Sequence, residues 1–114
     1  MAKLEKTVND FMGAWRKKDF SKMQNLLQKT YLDGSQPVDL PTVFGNVDIK
    51  TWKIVKSLRI GQACRDMIVN VIFGQNGITN KRKLNIRVIC ETAPYIPDLS
   101  GSWGVNPISV MRRL

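Results

Sequence analysis

The sequence predicts an α+β domain in which N-terminal helices precede a run of long antiparallel strands. Three observations carry this. Leu4, Val8, Phe11, Met12 and Trp15 recur at the i, i+4, i+7, i+8, i+11 spacing of an amphipathic helix. From Trp52 onward the chain is dominated by β-branched, alternating segments, the longest being the two arms of a hairpin between Ala63 and Glu91. The 114 residues, 43% of them hydrophobic, suffice for one core and contain no repeat, linker or low-complexity run, so 1–114 reads as one domain.

In chain order, Gly13 interrupts the first helix where another element is expected to approach closely, and Arg16-Lys17-Lys18 suits a helix C-terminus. Asp19 is the expected N-cap of a second helix with the apolar face Phe20, Met23, Leu26, Leu27 and Tyr31, ended by Asp33-Gly34. Ser35 to Lys50 is irregular, punctuated by Pro37, Pro41 and Gly45, with a short helical turn over Leu40 to Phe44. Its apolar residues suggest a cover, the natural candidate for a lid or pocket rim.

Trp52 to Ile60 is the first long strand, and Gly61-Gln62 turns it into the central hairpin. Folded symmetrically about Gly77, the hairpin places Cys64, Asp66, Ile68, Asn70 and Ile72 beside Leu84, Ile86, Val88 and Cys90. Arg65, Met67, Val69, Val71 and Phe73 then share the other face with Asn85, Arg87 and Ile89. A slip of one residue would exchange these partners. Thr92 to Gly101, with Pro94 and Pro97, is a loop or edge, and Ser102 to Met111 is the closing strand, at an edge or bulged because of Pro107.

Cys64 and Cys90, nearly opposite in this register, are expected as reduced core thiols. With no His and no CxxC, a zinc site is not expected. No Walker loop, dinucleotide fingerprint, GxSxG elbow or carboxylate cluster occurs, so no cofactor or metal is expected. The N-terminus shows no secretory h-region and no stretch could span a bilayer, which points to a soluble protein of the cytoplasm. The 18 basic residues against 9 acidic, net +9, favour anionic partners such as nucleic acid. They are dispersed in short groups, however, and are not interleaved with aromatics, so nucleic-acid binding is expected to be weak and sequence-independent.

Phe11 to Tyr31, where a Trp-bearing helix meets Asp19-Phe20 and a Leu-rich second helix, and the closing Gly101-Ser102-Trp103-Gly104-Val105 resemble the nuclear transport factor 2-like superfamily. The likeness covers nearly the whole chain, chiefly through the order of its elements. It implies a cystatin-like cone: a strongly bent antiparallel sheet wrapped around N-terminal helices, with a pocket opening at the wide end. It implies members of several kinds, among them ketosteroid isomerase-like and dehydratase-like enzymes, polyketide cyclases of the SnoaL type and non-catalytic binding domains. It also implies dimerisation through the sheet. Met67, Val69, Val71 and Phe73 are the expected apolar outer face of such a homodimer, with Arg65 and Arg87 at its wet rim.

The enzymes of that superfamily use His, Asp or Tyr for proton transfer, and this chain has no His. Asp66, set among apolar neighbours, is the candidate catalytic base, against the plainer reading of an Asp paired with Arg87 or Arg59. Trp15, Tyr31, Phe44, Trp52, Trp103 and Asn106 are the candidate pocket residues, each of them also explicable as packing or a turn. The resulting expectation is a non-catalytic binding or assembly module that takes a small apolar ligand. The alternatives are a cofactor-free isomerase, dehydratase or cyclase, and a basic nucleic-acid-associated protein. A filled cone would favour the module; a hollow one with Asp66 at its bottom would favour the enzyme.

Overall fold

The computed structural model describes residues 2–32 and 38–112. Helix α1, Ala2–Lys17, buries Leu4, Val8, Phe11, Met12 and Trp15, the residues its periodicity selects. Lys18 takes a left-handed φ of 59°, which ends α1 at once. Asp19 then caps α2, Phe20–Asn25, accepting a hydrogen bond from the Lys22 amide at 3.2 Å.

The second helix does not run through to Tyr31. It stops at Asn25 because Leu26 to Gln28 serve the sheet: the Val105 amide donates to the Leu26 carbonyl at 2.8 Å, and the Gln28 amide to the Val105 carbonyl at 3.0 Å. Helix resumes as α3, Lys29–Leu32. The expected helix end at Asp33-Gly34 lies outside the described residues, as do Ser35, Gln36 and Pro37. Further on, α4 covers Leu40–Phe44 as expected, with Asp39 as N-cap and Pro41 in its first turn.

The sheet comprises β1 Asp48–Gly61, β2 Cys64–Gln75, β3 Ile78–Ala93, β4 Ile96–Pro97 and β5 Ser102–Val105. It is antiparallel, in the order β1-β2-β3, and both β4 and β5 pair with β3. β1 departs from regular register at three places, between Ile49 and Thr51, Ile54 and Lys56, and Arg59 and Gly61. Each such bulge adds bend and twist to a long strand.

The hairpin register corrects the expectation by one residue. Asn76 (φ 55°) and Gly77 (φ 79°) together form a two-residue turn, so the fold axis passes between them and not through Gly77. Met67 therefore faces Ile86, and Val69 faces Leu84, on the side turned to α1. Asp66 faces Arg87, and Cys64 faces Ile89, on the opposite side. Cys64 and Cys90 thus project to opposite faces of the sheet, and both are thiols. Met67, Val69, Val71 and Phe73, expected on an outer dimer face, are core residues at most 3% exposed. Arg65 is likewise not at a wet rim: it is 8% exposed, lies over the Trp103 ring and donates to the Gly61 and Gln62 carbonyls.

The closing strand is also shorter than expected. Asn106 caps a helix, α5 Pro107–Met111, accepting from the Ile108 and Ser109 amides, and Pro107 occupies its first turn instead of bulging a strand. The chain's Gly-rich ending has a packing reason. A Cβ at Gly104 would lie 2.4 Å from Gln28 Cα, so only glycine allows β5 to meet the Leu26–Gln28 segment.

The space between α1, α4 and the sheet is filled. The rings of Trp15 and Phe44 meet edge-on at 4.9 Å, Phe11 packs against both, and the Trp15 Nε1 donates to the Phe44 carbonyl at 3.0 Å. On the other edge, the buried carboxylate of Glu91 accepts from the Thr30 amide (2.9 Å) and hydroxyl (2.7 Å), tying α3 to β3.

Candidate binding cleft

A cleft of about 370 Å³ opens on the sheet face away from α1, between β2, β3, α3 and α5. Alternation along the strands puts Asp66, Asn85 and Arg87 there together, because their neighbours Met67, Leu84 and Ile86 point into the core. Arg87 Nε donates to Asp66 Oδ1 at 2.8 Å, and its Nη2 to Oδ2 at 3.1 Å. Asn85 Nδ2 donates to Oδ2 at 3.2 Å. The Asp66 side chain is 6% exposed and that of Arg87 41%, so the carboxylate lies beneath a guanidinium that reaches solvent.

The hydrogen bond from Arg87, followed by that from Asn85, outweighs burial and holds the Asp66 carboxyl below the usual carboxylate range. Asp66 is therefore ionised at neutral pH, with both oxygens engaged. Burial foremost, and then the neighbouring Tyr95 and Glu91, pushes the Tyr31 phenol up, so it stays protonated and can donate a hydrogen bond.

The end of the chain closes the cleft. The Asn106 amide donates to the Arg87 carbonyl at 2.8 Å, continuing the β5 ladder by one residue. The Arg87 amide donates to Ser109 Oγ, whose hydroxyl donates to the Asn106 carbonyl at 2.6 Å. Asn106, Ile108, Ser109 and Arg112 thus form one wall, with Tyr31 on the other side. Two unusual features remain. Asp66 and Arg87 cancel in charge, so Arg112 leaves the cleft positive. Asn85, which lines it, has its Oδ1 buried without a hydrogen-bond partner.

Of the residues singled out in the sequence, the structure brings Asp66, Tyr31 and Asn106 together. Trp15 and Phe44 are fully buried in the core. Trp52 packs over Gly13 and donates its Nε1 to Asn9 Oδ1 at 2.9 Å, and Trp103 lies beneath Arg65. Asn85 and Arg112 are not among the candidate pocket residues the sequence singles out. The signal for Asn85 is the polar pair Asn85 and Arg87 at alternate positions of an otherwise apolar arm, which the two-residue turn sets opposite Asp66. Among the described residues no group of three or more His, Cys, Asp or Glu side chains could hold a metal ion. No described helix is long and apolar enough to cross a membrane.

No protein-family model matches the chain, and no curated protein matches it. Among solved structures it is similar to the crystal structure of a ketosteroid isomerase-like protein from Erwinia carotovora atroseptica. The TM-score is 0.56 at 11% identity, over 92% of this chain and 89% of that one. Identity this low carries the fold and nothing of the chemistry. The chain accordingly has the nuclear transport factor 2-like fold, an α+β cone of N-terminal helices enclosed by an antiparallel sheet.

Proposed function

We propose that this protein is a non-catalytic binding module whose cleft holds a small anionic molecule. One observation carries the reading: Asp66 is ionised and gripped by Arg87 and Asn85. A general base needs a pKa near the working pH and a free oxygen turned toward its substrate, and Asp66 has neither. What the cleft offers instead is recognition. The Arg87 guanidinium meets Asp66 through Nε and Nη2 and keeps Nη1 outside that pair, and Arg112 adds a second positive charge. The polar lining supports a charged ligand over the expected small apolar one.

Titration of the ¹⁵N-labelled protein with small hydroxy-carboxylates, each beside its methyl ester, tests this. The acids are expected to shift the Asn85 side-chain amide and the α5 backbone amides, and the esters to leave them in place. Esters that bind as well as acids would overturn the anion reading. Deuterium exchange at the α-carbon of a bound ketone, abolished by Asp66→Asn, would replace the module with the enzyme.

A further inference from the structure

The same sheet face continues beyond the cleft into a field of lysines. The registers set Lys53, Asn70 and Lys83 in one row across β1, β2 and β3. The flanking rows are Thr51, Ile72 and Lys81 on one side, and Lys56, Ile68 and Asn85 on the other. Lys53, Lys56, Lys81 and Lys83 are all exposed, and none takes part in an ion pair among the described residues. The acids of these strands are already engaged: Asp48 with Lys18, Asp66 with Arg87, and Glu91 with Thr30. A shallow groove of about 470 Å³ runs between the lysines over Asn70 and Ile72. The basic groups that look dispersed in the sequence are therefore gathered by strand pairing.

We propose that this lysine field docks the phosphate backbone of a nucleic-acid duplex, independently of the ligand in the cleft. Within a row, β1 and β3 lie about 10 Å apart, and the three rows together span about 14 Å along β2. Over that length a duplex presents about eight phosphates on its two strands, one per ~1.7 Å of axis, opposite in charge to the four ammonium groups and ample to engage them. The partner is double-stranded because the face offers no ring on which a base could stack. Trp52, at the edge of the groove, pairs with the core residue Val71 and turns its ring to the opposite face, over Gly13 and bonded to Asn9. A bilayer is a poorer match, since Ile68 and Ile72 are half-buried between the lysine stems and present nothing to insert. Contacts of this kind position a duplex without reading its sequence.

Fluorescence anisotropy of a labelled mixed-sequence duplex, titrated across a series of salt concentrations, tests the proposal. Four phosphate contacts predict a slope of log K against log salt of about −3.6, at about −0.9 per contact. Joint replacement of Lys53, Lys56, Lys81 and Lys83 by Gln should bring the slope near zero and lower low-salt affinity at least about tenfold. The charge-matched control replaces the exposed Lys6, Arg16, Lys17 and Lys22 by Gln and should keep the slope. Should the joint variant melt differently from the parent, Lys53→Gln and Lys83→Gln singly carry the test, each removing about 0.9 from the slope. An equal loss in the control would overturn the proposal. So would tighter binding to phosphatidylserine vesicles or to a single strand of the same length, or no duplex binding at low salt.

Discussion

At Asp66 the folded protein lowers a carboxyl pKa that the unfolded chain leaves near its ordinary value of about 3.9. The unfolded state then binds the proton more tightly, so this group's contribution to stability is fully present above about pH 5. It is lost as the pH falls through the depressed folded value. Asp66→Asn should accordingly flatten the acid limb of stability against pH and cost about 1–3 kcal/mol at neutral pH, the lower part of that range being favoured by the solvent around Arg87. Urea titrations at pH 7 and pH 3 measure it. A variant that parallels the parent at both would mean that the pair does not hold in solution. Arg87 is one of the two partners the sequence offers Asp66, although the register expected from it sets the two on opposite faces of the hairpin. Their meeting depends on a turn some ten positions away, where centring the hairpin between Asn76 and Gly77 and not on Gly77 exchanges every cross-strand partner.

Among the elements, those built on local periodicity were legible and those built on long-range backbone pairing were not. The amphipathic stripe of α1, the Asp19 cap and the Pro41 helix follow from neighbours within a turn or two. The break at Leu26 does not, because the hydrogen bonds that cause it come from Val105. The hairpin is legible, but symmetry about Gly77 passes over Asn76-Gly77, a two-residue turn signal that sets the register. Asn106-Pro107 is a helix start that alternation concealed. The register has a sharp consequence at Val71. In the expected register Val71→Lys would split a folded dimer, whereas at 2% exposure it places an ammonium group in the core. We expect it to cost more than about 4 kcal/mol and to leave little folded protein. Circular dichroism on heating reads this, and a cooperative melt close to the parent's would return Val71 to the surface.

At the scale of the whole molecule, the net charge of +9 is a sum that says nothing about where the charge lies. Strand pairing gathers four lysines on one sheet face, while Met67, Val69, Val71 and Phe73, expected on the outer face, fill the core. A homodimer through the sheet, the assembly the sequence resemblance implies, must now bring two lysine fields together. Repulsion between them is strong at about 0.01 M salt, where the Debye length is about 30 Å, and weak at about 1 M, where it is about 3 Å. Pairing through this face should therefore increase with salt, whereas duplex binding, which releases counterions, should decrease. The two occupants of one surface are separated by the sign of a single dependence. Sedimentation velocity at both salt concentrations, on the parent and on the variant with Lys53, Lys56, Lys81 and Lys83 replaced by Gln, measures it. We expect the parent to shift toward dimer only at high salt and the variant to be insensitive. A dimer equally populated at both concentrations in the parent would place the contact elsewhere on the molecule, and a variant that keeps the parent's salt response would remove the lysines as its cause.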